Sequence, residues 1–321
     1  MGMRNRLFFL FVLPIALWGA PEWLLVRTVD GAVVEGQSQL KSVKVDGTDV
    51  ALAQVLSIHS GGPASTFETE RITQGMAAIQ GEDRAARDKA VEELTSIGIP
   101  VMTPLLKGYK DTDQHEPRPL YRLFERLMPS YADAFDRTLS LVRLKNGDAM
   151  RGKISDMTID LKGTDGKKSS LPWSQIRSVA VRQPAVKRSM QVHSLRHCTQ
   201  IEYLDTGVAA TAASKLTFAA RGLVRLSWDT DSWASDADGL KVPGSPAYKS
   251  NLVDGHPFGA LVGRTSPGGE VFFIGKKSTV SGKQAGRLAL AVNDNKHWQN
   301  NLGTFWVTMT ATDAYDLGDA Q

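Results

Sequence analysis

Cysteine is almost missing from this sequence: Cys198 is the only one in 321 residues. An intramolecular disulfide is thereby excluded, and so is a cysteine-based metal framework. His193, His197 and Cys198 lie close together, but no fourth ligand or carboxylate accompanies them. They read as a strand or loop segment with unrelated polar residues. Charge of one sign is also scarce, with a net charge of +4. The densest basic run, from Lys187-Arg188 to Arg196, is thin and carries no interleaved aromatics. No nucleic-acid partner is expected from it. After the first twenty residues, no apolar run approaches the roughly 20 residues a membrane-spanning helix requires. The sequence also lacks a Gly-x-Ser-x-Gly elbow and a His-Glu-x-x-His pair, and its one Gly-x-x-x-x-Gly-Lys spacing, Gly147 to Lys153, belongs to the β repeat and is followed by Ile154 instead of the Ser or Thr of a phosphate-binding loop. Asp229, Asp231, Asp236 and Asp238 cluster after a strand. Paired carboxylates hydrolyse glycosides only at defined separations, and an Asp-Ser-Gly stretch is ordinarily a solvated turn. The expectation is a protein that is not an enzyme.

Hydrophobic residues make up 42% of the chain and charged residues 22%, the composition of a protein with real cores. Arg4 and Arg6 precede an apolar run, Leu7 to Trp18, broken only by Pro14 and followed by Gly19-Ala20. That is the order of a secretory signal peptide over residues 1–20, which implies a periplasmic or secreted protein. Trp18 is bulky for the position three before the cut, so an uncleaved anchor stands as the alternative.

An internal repeat comes next. Leu25-Val26-Arg27 with Gly31 and Gly36 recurs as Leu141-Val142-Arg143 with Gly147 and Gly152. The copies end on Gln54-Val55-Leu56-Ser57-Ile58 and Gln175-Ile176-Arg177-Ser178-Val179. Asp30-Gly31 and Asn146-Gly147 suit two-residue hairpin turns, in which both residues take positive φ. Each copy, 21–62 and 139–183, is a small antiparallel β unit too short to be confidently stable alone. Either each closes a tiny barrel or the two pack together, and the second is preferred. The pattern resembles small SH3- or Sm-like modules. Between the copies, over residues 68–135, the period becomes helical. Ala86, Ala90, Val91 and Leu94 share a face, as do Leu120, Leu123, Phe124 and Leu127. This HEAT-like insert is either a helical support or a surface for a protein partner.

From residue 190 to 313 the chain reads as an all-β sandwich, jelly-roll or galactose-binding-like in class, with a tail over 314–321. The fold class is therefore mainly β with a helical insert and small barrel-like repeats at the N-terminal side. Leu204-Asp205-Thr206-Gly207-Val208, Pro257-Phe258-Gly259, Phe272-Phe273-Ile274-Gly275, Asn293-Asp294 and Asn300-Asn301-Leu302-Gly303 follow in order. The series resembles the calcium-dependent galactophilic bacterial lectins of the PA-IL type over about the last third of the chain. That resemblance implies calcium bound by Asp294, Asn300 and Asn301, with backbone oxygens near Leu226 and His297, and a glycan partner seated on the metal. The loop is one residue shorter than in such lectins. No counterpart of their sugar-contacting His and Gln is evident, and His256 lies too near Pro257-Phe258-Gly259 to be that histidine.

The residues support the same chemistry without the family. Calcium takes six to eight oxygen ligands, and a turn offering Asp294, Asn300 and Asn301 supplies several. Asn and Asp also build plain turns by bonding nearby backbone, and that reading stays open. Asp294, Asn301 and Trp298 are the sugar-binding candidates. Trp298, Trp228 and Trp233 either stack on a sugar face or pack inside the protein.

Overall fold

The computed structural model describes residues 21–81, 83–110, 123, 127, 137–200, 202–227, 233–240, 253, 255–281, 285–294 and 300–318. The expected leader, 1–20, lies outside them. The chain is mainly β with few helices.

The first repeat copy forms β1 (Glu22–Thr28), β2 (Val33–Ser38), β3 (Ser42–Val45), β4 (Thr48–Ala51) and β5 (Val55–His59). The helices with described bounds follow: α1 (Thr66–Gln80), α2 (Arg84–Ile97) and α3 (Met102–Lys110). The second copy forms β6 (Ser140–Leu144), β7 (Ala149–Gly152), β8 (Thr158–Lys162), β9 (Lys168–Pro172) and the long β10 (Ile176–His193).

The two copies exchange their closing strands. β1 pairs with β10 rather than with its own β5, and β6 pairs with β5. The registers are equivalent: Val26 faces Val179 while its counterpart Val142 faces Ile58. β5 and β10 also pair, through Ser178–His59, Val179–Ile58 and Ala180–Ser57. That register maps onto itself when the copies are interchanged, so a pseudo-two-fold axis passes between Ile58 and Val179. Leu24, Val26, Ile58, Val142, Ile159, Ile176 and Val179 belong to one buried core. Units of about 40 residues bury too little apolar surface singly, and exchange joins two half-cores into one.

The hairpin turns differ from the two-residue type. Gly31 N donates to Thr28 O, and Thr28 N to Ala32 O. Gly147 and Leu144 repeat this pattern with Leu144 and Asp148. Only the glycines, at φ 85° and 94°, take positive φ. Each is a three-residue loop closed by a left-handed glycine. The Asp30 and Asn146 side chains instead accept from the loop: Asp30 from the Thr28 hydroxyl and Ala32 N, Asn146 from Asp148 N. The two-residue turn lies elsewhere, at Asp46-Gly47, where both φ values are positive (47° and 82°) between β3 and β4.

The sequence periodicity marks α2, with Asp83 capping its start and Gly98 (φ 74°) ending it. It gives little sign of α1, which rests on a capping box between Ser65 and Glu68. Gly75 of α1 lies against the Leu94 side chain of α2, so a Cβ added there would crowd that side chain. Of the expected helix over 120–128, Leu123 and Leu127 are described, and both are buried in the helical core. Glu68 binds Arg177 at 2.5 and 2.6 Å, and both side chains are buried. Arg177 also donates to Ser60 O and Pro63 O. This pair ties the insert to β10.

The remaining strands are β11 (Leu204–Ala210), β12 (Lys215–Arg225), β13 (Ala234–Ser235), β14 (Leu261–Arg264), β15 (Phe272–Phe273), β16 (Lys277–Ser281), β17 (Gly286–Val292) and β18 (Leu302–Asp316). One layer runs β10-β18-β12-β16, the other β11-β17-β14-β15, and the end of β18 joins them through Val208–Asp316 and Ala209–Tyr315. Between them lies a core containing Val192, Phe218, Leu290, Phe305 and Met309. The interval 183–190 expected between repeat and sandwich falls inside β10. That strand pairs with β1 and β5 up to Val181 and with β18 from Arg182 to His193. Arg182, at the crossover, donates to Glu35 (2.5 Å) and lies over the Trp23 ring. The insert also docks on the sandwich, where Arg264 meets Asp88 of α2 at 3.1 Å while lying over the Tyr203 ring.

Removing one partner of a buried ion pair strands the other charge and costs about 3–5 kcal/mol. Arg177→Met is expected to lower the stability of the chain by that amount in urea unfolding. The double change Glu68→Leu with Arg177→Met is expected to cost less than the single one.

Candidate functional site

β17 delivers Asn293 and Asp294 at its end, and β18 begins just after Asn301. Burial separates the roles of these residues. Asn293 is buried and works as a clamp. Its Oδ1 accepts from Val253 N (3.0 Å), and its Nδ2 donates to His256 O and Pro257 O (3.1 and 3.2 Å). These bonds reach backbone of a distant segment, and not the neighbouring residues a turn-forming asparagine would hold.

Asp294 is different. Its side chain lies inside the protein, with the residue 1% exposed, and Asn301 beside it is 2% exposed. Asn301 Nδ2 donates to Asp294 Oδ2 and also to Ser194 O (3.1 Å). Asn301 Oδ1 is buried and has no hydrogen-bond partner among the described residues. A buried carbonyl oxygen left unpaired is costly, which marks it as an atom that awaits a ligand or stores strain. The backbone of Asp294 is held separately. Its N–H donates to Thr199 Oγ1 (3.0 Å), and its carbonyl accepts from Thr199 Oγ1 and Gln200 Nε2, both at 3.1 Å.

Asn300 lies next to this pair and is half-buried. The pairing of Arg225 with Leu302 brings the end of β12 beside the start of β18, so Leu226 follows at the level of Asn301. Asp294, Asn300, Asn301 and Leu226 are thus gathered at one end of the sandwich. Trp298 and His297 lie outside the described residues, as does Trp228. Trp233 packs inward, edge-on to Phe258 with ring centroids 5.7 Å apart.

No family model matches the chain, and no curated protein matches it. Among solved structures it is similar to the N-terminal domain of EclA, described as a PllA-like lectin. The identity is 23% and the TM-score 0.30, over 39% of this chain and 96% of that one.

Other candidate residues serve different ends. Asp236 and Asp238 both engage Lys276, at 2.6 and 3.4 Å, and the Lys276 bond holds the Asp236 carboxyl below its ordinary range. Asp229 and Asp231 lie outside the described residues. Cys198 is buried in the sandwich core, while His193 bonds Thr304 through Nδ1 (2.8 Å). Sequence reading missed Thr199, Gln200 and Ser194. They stand about a hundred positions before Asp294 and Asn301, and no local spacing signals the contact.

Thr199→Val keeps the shape of the side chain and strips the Asp294 N–H of its acceptor. A buried donor left unpaired costs about 1–3 kcal/mol. A loss of that size in chemical unfolding is expected, and no change would mean that Thr199 does not hold the loop.

Proposed function

We propose that this chain is an exported carbohydrate-binding protein whose sugar site is built on a calcium ion held by Asp294, Asn300 and Asn301. The observation that supports this most is the buried Asn301 Oδ1, unpartnered and beside the buried Asp294 carboxylate. Both are hard oxygen donors, the atoms calcium prefers. Taking a carboxylate out of water is expensive unless a cation compensates it. A bound calcium would satisfy the free carbonyl and the carboxylate together. Leu226, which follows the Arg225–Leu302 pair, has a backbone carbonyl suited to add an oxygen.

When bound, the ion supplies positive charge and open coordination positions that sugar hydroxyls can fill. The chain's own residues orient it. Thr199 and Gln200 fix the Asp294 backbone, Ser194 fixes the Asn301 amide, and Asn293 pins the neighbouring segment. One carboxylate gives a weak site, in keeping with the millimolar calcium range of extracellular modules. The leader-like residues 1–20 support such a compartment.

A second reading is a non-enzymatic cell-envelope scaffold. The direct Asn301–Asp294 bond favours it, because the two side chains partly satisfy each other.

The test is a glycan-array screen of the chain without residues 1–20, with calcium and with chelator, beside Asp294→Asn. Glycan signals lost both on chelation and in the variant are expected. Signals unchanged by either treatment would leave the loop as a structural turn with sugar bound elsewhere on the chain, and no signal at all would support the scaffold.

A further inference from the structure

The outer face of the β10-β18-β12-β16 layer is uncovered by any described residue of the chain, and its composition is unusual. Strand pairing sets its residues in rows. Gln191, Trp306 and Arg221 form one row. Ser189, Thr308, Ala219 and Lys277 form the next, and Lys187, Thr310, Thr217 and Thr279 the one after. Trp306 stands near the middle strand with half its surface exposed (50%), and Leu223, diagonal to it, is 63% exposed. Lys187, Lys215, Arg221 and Lys277 all point outward on this face, where most of the inward residues on the same strands are buried or half-buried. Among the described residues, these strands place no Asp or Glu on it.

We propose that this sheet face is a second glycan-binding surface, for an extended acidic polysaccharide whose sugar carboxylates meet the four cations. It does not depend on the Asp294 loop. An exposed tryptophan gives an apolar plane for one face of a sugar ring. The serine and threonine hydroxyls around it donate and accept. Four cations without a carboxylate produce a one-signed field that attracts a polyanion.

The same features disfavour other occupants. Protein interface cores are depleted in lysine, whereas this face presents Lys187, Lys215 and Lys277. A second copy would set like charges against like across a two-fold contact. Single-stranded nucleic acid stacks successive bases on successive aromatics, and among the described residues of these strands Trp306 is the one Phe, Tyr or Trp on this face.

The experiment is calorimetric titration of the leaderless chain with polygalacturonate in the presence of chelator. Neutral galactan and single-stranded oligonucleotide serve as comparison ligands. We expect polygalacturonate to bind, galactan to bind at least tenfold more weakly, and raised salt to weaken the complex. Trp306→Ala, and separately the pair Lys187→Glu with Arg221→Glu, should each lower the affinity at least tenfold. These side chains are exposed, and an unchanged circular-dichroism melt checks the fold of each variant. Asp294→Asn should bind polygalacturonate as the parent does. No binding, equal binding of galactan, tighter binding of the oligonucleotide, or insensitivity to both sets of variants would each overturn the proposal. Because chelator is present throughout, failure here leaves the calcium-loop reading untouched, and the converse also holds.

Discussion

The pairing of Ile58 on β5 with Val179 on β10 is the constraint on which the rest depends. It lies on the pseudo-two-fold axis of the repeat, and both side chains are buried. Neither repeat copy supplies the strand that would close itself, so neither core exists until β5 and β10 meet. β10 then continues without interruption into the sandwich and pairs with eleven residues of β18. Folding of the N-terminal unit and placement of the sandwich sheet are consequences of one strand. The charged contacts, Arg177–Glu68, Arg182–Glu35 and Arg264–Asp88, then fasten the helical insert and the first copy to that frame.

This arrangement gives the candidate site its rigidity. Asp294 and Asn301 belong to a connection between two long sandwich strands, and Thr199 and Ser194 reach them from the segment that directly follows β10. The same β10-β18 pairing lays out the rows of the outer face. One scaffold thus presents two surfaces of different chemistry: a buried oxygen-donor loop at the end of the sandwich and a cationic, hydroxyl-rich plane along its side.

Much of the architecture was legible in the residues. The Leu-Val-Arg repeat marked the two β units, the Ala86-to-Leu94 periodicity marked α2, and alternation marked the sandwich strands. Strand exchange was not legible, because hydrophobic patterning fixes which face of a strand is buried but not which copy it pairs with. The turn type was misread because Asp-Gly and Asn-Gly serve both two-residue and three-residue hairpins, and the loop hydrogen bonds decide between them. α1 was hidden by a weakly amphipathic sequence with Gly75 inside it, and a capping box and tertiary contacts stabilise it instead. At the site, Asp294 and Asn301 were legible as oxygen donors. The clamp made by Thr199, Gln200 and Ser194 was not, since it is a contact between distant segments. The outer face was also invisible, because its four cations are scattered along three strands and gather only through register.

The most direct test of the shared strand is native-state hydrogen exchange along β10 in graded denaturant. Cooperative units exchange their innermost amides through a common opening. The structure predicts that the amides of Val179 to Val181 and those of Val186 to Val192 exchange through the same opening, the most costly in the chain. Exchange of the first group at a markedly lower free energy, while the second stays protected, would show two independent bodies and contradict the account.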